Sequence, residues 1–187
     1  ARLAAYPANR MGTKNFYKLF GIERYLCVYI GGGVIGAGNN VTPEGMRWNA
    51  LPIDLNAPLP SSMLEQKFDL VTDYGNNEHA FHVAEAYRTM HRMCRPNGLI
   101  IIVQERIGTN GYYNFNPSFY EAMAFANDYE KIFSAEIHGR RFFNLNTDLK
   151  KGTNVGLAYV FRKRSDEDFR LPSSNKAREK AKIAPDA

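Results

Sequence analysis

The sequence predicts an α/β fold of three layers, built around a mainly parallel β-sheet that carries a late antiparallel pair of strands. Short apolar runs of strand length recur along the chain. Amphipathic helical patterns lie between them, and loops with Gly, Pro, Asn and Asp connect the two. This alternation is typical of parallel sheets, because two parallel strands need a long crossover connection.

Three buried strands are predicted from apolar runs. They are residues 25–30 (YLCVYI), residues 68–72 (FDLVT) and residues 99–104 (LIIIVQ). Strands inside a parallel sheet are covered on both faces, so their hydrophobicity is continuous rather than alternating. We therefore expect residues 68–72 and 99–104 to be neighbours at the centre of one sheet.

Two helices are predicted from the spacing of apolar residues and from their end signals. Residues 79–94 carry apolar side chains at steps of three and four, and the Arg-Pro-Asn-Gly turn at 95–98 ends this helix. Residues 117–129 form the second helix, because Asn116 is a favourable N-cap and Pro117 suits the first helical position.

Two more strands and a tail are predicted from the sequence of the last part of the chain. Residues 133–143 and 155–164 have strand character and are separated by a polar loop, which predicts an antiparallel pair. Residues 165–187 contain few apolar side chains. We therefore divide the chain into an α/β domain, residues 1–164, and a charged C-terminal tail, residues 165–187.

Composition excludes several classes of protein. With 187 residues, 44% of them hydrophobic and 23% charged, the chain is globular rather than disordered. No apolar run approaches the ~20 residues that span a bilayer, and the first ten residues lack the apolar core of a secretory signal, so no membrane partner is expected. Cys27 and Cys94 lie in apolar segments and are predicted to be core residues, as is His91. A reducing, intracellular compartment is expected.

Charge is concentrated near the C-terminus. The formal net charge is +5, and residues 162–187 hold eight basic and five acidic residues, which is +3 of that total. We expect the tail to bind other protein chains of an assembly, with nucleic acid as the alternative partner. On this interpretation, deleting the residues from Phe169 onward leaves the melting temperature of the domain nearly unchanged.

Acidic residues follow the predicted strands at the edge where open α/β sheets bind ligands. Asp54 either accepts a hydrogen bond from a ligand amine or hydroxyl, or satisfies backbone N–H groups in a turn. Glu78 and His79 stand at the start of the first helix, where the helix dipole favours a carboxylate whatever its role. No metal-binding motif is present, so no metal is expected.

Four segments in this order resemble the class I S-adenosylmethionine-dependent methyltransferases. They are the acidic, Leu- and Pro-rich residues 54–59, the FDLV strand at 68–71, the Glu78-His79 pair and the basic-Pro-x-Gly turn at 95–99. A segment rich in aromatic residues and Asn, 112–117, is also similar to a subgroup of small methyltransferase-like proteins. The resemblance extends over residues 25–164.

The resemblance implies a Rossmann-like methyltransferase fold and assigns expected roles to individual residues. Asp54 would contact the adenine side of S-adenosylmethionine, and Asp73 and Tyr29 would belong to the same, degenerate cofactor site. If the protein is an active enzyme, Glu78 and His79 are the implied catalytic residues.

Two positions depart from the family pattern. Tyr29 stands where the family has an Asp or Glu that binds both ribose hydroxyls, and Tyr6-Pro7 stands where an acidic residue and a glycine are expected. A tyrosine offers a single hydroxyl, so losing the carboxylate costs about 1.5–3 kcal/mol of binding free energy. We therefore expect S-adenosylmethionine to bind weakly or not at all.

Two interpretations of function remain open. In the first, the protein has a methyltransferase fold with an eroded S-adenosylmethionine site and serves as a non-catalytic structural or scaffolding subunit of a larger assembly. In the second, it is an active S-adenosylmethionine-dependent methyltransferase, with Tyr112 and Asn114 facing an unknown acceptor. The first is favoured because the core motifs are kept while the ligand loops depart.

Overall fold

The structure, a computed structural model, describes residues 17, 21–22, 27–29, 50–59, 62–108, 111–138, 141–143 and 155–173. The chain divides into two compact units, Ala1–Asp54 and Leu55–Ala187. In the first unit, β1 (Cys27–Tyr29) pairs in parallel with β2 (Ala50–Pro52). The Tyr6-Pro7 loop lies outside the described residues.

The second unit contains a five-stranded sheet. Its strands are β3 (Phe68–Tyr74), β4 (Cys94–Ile107), β5 (Tyr129–His138), β6 (Arg141–Phe143) and β7 (Val155–Lys163). Their order across the sheet is β3-β4-β7-β5-β6. β3 and β4 are parallel, and β7 is antiparallel to both β4 and β5, so β3, β4 and β5 run in one direction.

The predicted α/β fold is confirmed, with a sheet that combines parallel strands and late antiparallel ones. The FDLVT and LIIIVQ runs are neighbours, since Leu70 lies opposite Leu99 in the register of β3 and β4. The late antiparallel pair is also present, because Ala135 of β5 lies opposite Ala158 of β7. The predicted central position holds for LIIIVQ, because β4 lies between β3 and β7. It does not hold for FDLVT, because β3 is the outer strand of the five-stranded sheet that the structure describes and its first five residues are only half-buried or exposed.

The two helices are shorter than predicted. α1 (Val83–Met93) begins after a single 3-10 turn, Asn77–His79, rather than at residue 79. α2 (Pro117–Ala126) begins as expected, because the Asn116 side chain accepts a hydrogen bond from the Ser118 N–H at 3.0 Å. It ends three residues early because Asp128 has a φ of 50°, which continues no right-handed helix.

Two strand boundaries also differ from the sequence prediction. Residues 133–143 do not form one strand: β5 begins at Tyr129, and β6 is a separate strand that pairs with it. β4 includes the turn predicted at 95–98, because this segment bulges while the strand stays paired, with Asn97 at a φ of 63°. A bulge adds residues to one strand without ending the pairing.

A single hydrophobic cluster joins both helices to one face of the sheet. It contains Tyr87 and Met90 from α1, Tyr120 and Met123 from α2, and apolar side chains of β4 and β7, among them Ile100, Ile102, Leu157, Tyr159 and Phe161. Successive residues of a strand point to opposite faces, so these residues define the covered face. A helix on the opposite face is not among the residues that the structure describes.

The residues directly after β7 are bound to the same domain. Phe169 packs against the hydrophobic cluster. Arg170 N–H donates to Asn127 Oδ1 at 2.7 Å, and Asn127 Nδ2 donates to the Arg170 carbonyl at 3.1 Å. His91 Nε2 donates to the carbonyl oxygen of Glu167 at 2.7 Å. The first residues of the predicted tail therefore stabilise the domain.

These contacts change the expected result of a C-terminal deletion. Deleting residues 169–187 removes the Phe169 packing and both Asn127 hydrogen bonds, and we expect the melting temperature to fall by about 5–10 °C. Deleting residues 174–187 keeps these contacts and is expected to change it by less than about 2 °C. Thermal unfolding followed by circular dichroism compares the two, and equal melting temperatures would contradict the assignment.

Candidate functional site

The polar residues of interest in the second unit lie at the carboxyl end of β3. Gly75 has a φ of 71° and turns the chain there, and its N–H donates to the Val103 carbonyl at 2.8 Å. A left-handed φ of this size favours glycine, which has no Cβ. The turn brings the 3-10 segment Asn77–His79 over the end of the sheet.

Asp73 is a buried carboxylate at this end of the sheet. Its side chain is 4% exposed, Oδ1 accepts the Asn76 N–H at 3.1 Å, and Oδ2 accepts a hydrogen bond from Gln104 Nε2. Burial raises the pKa of Asp73 to about 6, even though these hydrogen bonds act in the opposite direction. Asp73 therefore exchanges its proton close to neutral pH.

Gln104 is matched to both protonation states of Asp73. Its Oε1 is buried and has no hydrogen-bond partner among the described residues, while its Nε2 donates to Asp73. The two ends of a glutamine amide are nearly equal in shape. Rotation of the amide by half a turn would offer Oε1 to a protonated Asp73. Gln104 was not among the predicted site residues, although a polar residue at the end of the apolar LIIIVQ run is a usable signal.

Glu78 is fully enclosed and holds two loops together. Its side chain is 1% exposed, and Oε2 accepts the Glu105 N–H at 2.9 Å. Its own carbonyl accepts the Tyr112 N–H at 2.8 Å. A Cβ added at Gly111 would lie 2.7 Å from Glu78 Cγ, so this close approach requires glycine. The structure thus gives Glu78 a positioning role.

The histidines of this region differ in exposure. His79 has a side chain that is 41% exposed, with Nε2 3.6 Å from Glu78 Oε1. His82 is exposed and attached to Asn56, whose Oδ1 accepts the His82 N–H at 2.9 Å and whose carbonyl lies 3.1 Å from His82 Nδ1. Of these two histidines, only His79 lies next to a buried carboxylate of the site, that of Glu78.

A layer of buried polar groups lies beneath the loop. The hydroxyls of Tyr87 and Tyr120 are 3.1 Å apart, and burial raises the pKa of both phenols. Asn77 is 1% exposed and its Nδ2 lies 3.2 Å from Met90 Sδ. These tyrosines are therefore neutral hydrogen-bonding groups, and sequence analysis did not single them out because their spacing is that of an ordinary apolar helix face.

The predicted cofactor residues of the first unit end neighbouring strands. Tyr29 is the last residue of β1 and lies opposite Pro52 of β2 in the parallel register, and the exposed Asp54 follows two residues later. The carboxyl ends of parallel strands meet at one edge of a sheet, so Tyr29 and Asp54 share that edge. The side chain of Tyr29 lies outside the described residues.

Two predicted core residues occupy the core. His91 is 2% exposed, with Nδ1 2.6 Å from the Tyr129 hydroxyl, and burial lowers its pKa to about 4, so it is neutral. Cys94 is buried, and burial raises the pKa of its thiol to about 11. Both residues lie in the core, as the sequence predicted.

Among the described residues, no group of three or more His, Cys, Asp or Glu side chains is arranged to hold a metal ion. Within the same residues, no helix has the length and apolar character needed to cross a bilayer.

No protein-family model and no curated protein sequence matches the chain. Among solved structures, the chain is similar to a 1,6-didemethyltoxoflavin-N1-methyltransferase from Burkholderia thailandensis, with 18% identity over 66% of this chain and 56% of that one and a TM-score of 0.46. The chain thus spans just over half the length of that enzyme, whose structure contains S-adenosylhomocysteine.

Two further structures show similarity of the same degree. A proposed methyltransferase from Bacillus halodurans C-125 is 12% identical over 63% of this chain and 72% of that one, with a TM-score of 0.48. The YcgJ protein from Bacillus subtilis is 14% identical over 63% and 71%, with a TM-score of 0.45. Identities this low concern the fold alone.

Proposed function

We propose that this chain is a methyltransferase-like protein with an eroded S-adenosylmethionine site, and that it serves as a non-catalytic structural or scaffolding subunit of a larger assembly. The observation that carries the proposal is that the Glu78 carboxylate is buried and already bound to the backbone. A general base must reach the proton that it abstracts, whereas the Glu78 carboxylate is 1% exposed and accepts the backbone N–H of Glu105.

The other candidate groups support the same proposal. Asp73 is 4% exposed, and its carboxylate accepts hydrogen bonds from the Asn76 N–H and from the Gln104 side chain. His79 is the exposed member of the set, and its carboxylate neighbour is the enclosed Glu78. The residues implied as catalytic therefore stabilise the loop on which they lie.

The cofactor side of the proposal rests on Tyr29. A carboxylate at this strand end would accept hydrogen bonds from both hydroxyls of a ribose, and a phenol offers one oxygen. Asp54 at the neighbouring strand end is left as the acidic contact, on the adenine side. Tyr6-Pro7, where an acidic residue and a glycine are expected, is the second departure from the family pattern. Two weakened contacts in one site lower the affinity multiplicatively, because each 1.4 kcal/mol of lost binding free energy is a factor of ten in the dissociation constant.

Active methyl transfer is the second candidate function, favoured by Asp73. A carboxylate with a pKa of about 6 at the carboxyl end of a strand is suited to proton exchange near neutral pH. On this alternative, an acceptor bound near His79 attacks the methyl carbon of S-adenosylmethionine in line. The bond from the acceptor to the methyl carbon forms as the methyl–sulfur bond breaks, S-adenosylhomocysteine leaves, and the Asp73 carboxylate takes the acceptor's proton, while positioning supplies most of the rate.

Calorimetric titration with S-adenosylmethionine and with S-adenosylhomocysteine separates the two candidates. We expect weak binding or none for the wild-type protein, and about tenfold or higher affinity for Tyr29→Asp, which restores a carboxylate. Tyr29→Phe is the matched control, because it changes the same position without adding an acceptor, and it should bind no better than wild type. A low micromolar dissociation constant for the wild-type protein would overturn the proposal and favour the enzyme.

The scaffolding role assigns partner binding to the residues beyond 173. Lys176, Arg178, Lys180 and Lys182 carry positive charge there, whereas residues 165–170 contact the domain itself. A protein chain with an acidic surface is the partner that this charge favours, with nucleic acid as the alternative.

A further inference from the structure

Two aromatic side chains are exposed together at the carboxyl ends of β3 and β4. Phe81 is 68% exposed and Tyr112 is 71% exposed. Their ring centroids are 6.0 Å apart and their planes meet at 81°. The pair is here called the aromatic corner. Its two rings are nearly perpendicular to each other, and both are exposed to solvent.

The aromatic corner is held by hydrogen bonds to its backbone. The Tyr113 hydroxyl donates to the Phe81 carbonyl at 2.7 Å, which ties the two loops together. The Tyr112 N–H donates to the Glu78 carbonyl at 2.8 Å. Gly111 approaches Glu78 so closely that an added Cβ would lie 2.7 Å from Glu78 Cγ. The backbone on both sides of the corner is thus fixed before any ligand arrives, which lowers the entropy cost of binding.

An imidazole lies beside the aromatic corner, and a second lies close to it in the chain. His82 is 6.2 Å from Phe81 between ring centroids. His79 precedes Phe81 by two residues, and its side chain is 41% exposed. Imidazole nitrogens donate or accept hydrogen bonds at the edge of a ring that carries nitrogen or oxygen atoms. Ligands of open α/β sheets bind beyond the carboxyl ends of the strands, where this corner lies.

We propose that the aromatic corner binds a planar heteroaromatic ring, such as a purine base. One face of the ligand stacks on one side chain while its edge contacts the other, and the imidazoles of His79 and His82 bond its heteroatoms. A protein partner is disfavoured, because an interface buries about 800 Å² on each side and two side chains expose far less. The inference does not depend on the proposed loss of catalysis.

Nuclear magnetic resonance titration of the whole chain with inosine tests the proposal, with ribose as the ligand that lacks the planar ring. Inosine is expected to bind saturably, with saturation transfer to its base protons, and ribose is not. Phe81→Ala and Tyr112→Ala should each weaken binding by about tenfold. Tyr112→Phe, which keeps the ring, should remain within about twofold. Phe133→Ala is the matched control, since Phe133 is 44% exposed on β5.

Several results would overturn the inference. These are the absence of saturable inosine binding, equal binding of ribose, wild-type affinity in both alanine variants, or an equal loss in Phe133→Ala. The titration is repeated with saturating S-adenosylhomocysteine, and competition between the two ligands would assign inosine to a cofactor site and also overturn the inference. Whether S-adenosylhomocysteine binds at all is read from the separate calorimetric titration. A change of oligomeric state in Phe81→Ala without inosine binding would make the corner a contact between copies of this chain.

Discussion

Replacing Asp73 by asparagine is expected to raise the free energy of unfolding by about 3 kcal/mol at pH 8 and to leave it nearly unchanged at pH 3. Burial raises the pKa of Asp73 from 3.8 to about 6, and each pKa unit corresponds to about 1.36 kcal/mol. Above pH 6 the folded protein bears the cost of a buried charge that asparagine lacks. Below pH 3.8 the carboxyl group is protonated in both the folded and the unfolded chain, so the difference disappears.

The hydrogen bonds of the variant are preserved by Gln104. The asparagine Oδ1 still accepts the Asn76 N–H, and rotation of the Gln104 amide offers the buried Oε1 to the new Nδ2 donor. Urea unfolding at the two pH values measures the effect. Asp69→Asn is the matched control, because Asp69 lies on the same strand with a 78% exposed side chain. A loss of stability at pH 8, or an equal gain at both pH values, would contradict the buried-charge assignment.

The titration of His91 changes the free energy of unfolding in the opposite direction over nearly the same range of pH. Its pKa is lowered from 6.5 to about 4, so the unfolded chain binds a proton as the pH falls through 6.5 while the folded chain does not. This costs about 3 kcal/mol of stability by pH 4. In contrast, protonation of Asp73 stabilises the folded protein as the pH falls from about 6 to 3.8, because the folded chain binds this proton before the unfolded chain does. The two contributions largely cancel in the wild-type protein, so Asp73→Asn is expected to be more acid-sensitive.

Lys163→Ala is expected to lower the free energy of unfolding by about 3 kcal/mol or more. Lys163 is 1% exposed, and its Nζ donates to the carbonyls of His91 at 2.9 Å and Cys94 at 3.0 Å. These carbonyls lie at the C-terminal end of α1, which a positive charge stabilises. Alanine leaves both acceptors without this donor and adds a cavity, and each unpaired buried group costs about 1–3 kcal/mol.

Two further variants make this measurement specific. Lys163→Met keeps most of the side-chain volume and removes the donors, so it is expected to lose about 2 kcal/mol. Arg162→Ala is the neighbouring control, because Arg162 has a 44% exposed side chain and pairs with Glu130 at the surface, and it should lose less than about 1 kcal/mol. Equal losses in Arg162→Ala and Lys163→Ala by urea unfolding would contradict the role of Lys163.

Hydrophobic pattern predicted the parts of this fold that depend on burial. The FDLVT and LIIIVQ runs were correctly predicted to be neighbours in one sheet. The burial that the pattern implies is met by the interior strand β4, whereas β3 lies at the edge of the described sheet and is half-exposed. The boundaries were less predictable. Asp128 ends α2 through a positive φ, and the bulge at Asn97 keeps β4 paired through a Pro-Gly turn. Both residues adopt the left-handed conformation that Asp and Asn tolerate, and the hydrophobic pattern carries no signal for it.

The candidate site was predicted in outline only. Asp73, Glu78 and His79 were identified from their place after a strand, but burial decides what each of them does. Sequence alone did not indicate that Glu78 would accept the Glu105 N–H, or that Gln104 would face Asp73. Such pairs join residues about 30 positions apart, and their partners are set by the register of β3 and β4.

The position of β7 has a consequence for synthesis on the ribosome. β7 is the last strand that the structure describes, yet it lies between β4 and β5 in the interior of the sheet. Until residues 155–163 leave the ribosome, one edge of β4 and one edge of β5 lack their partner, and an open strand edge is prone to pair with other chains. The sheet therefore closes only after β7 has been made, although β4 and β5 precede it in the chain. Slow translation of the segment before β7 would lengthen the time during which a nascent chain needs protection by a chaperone.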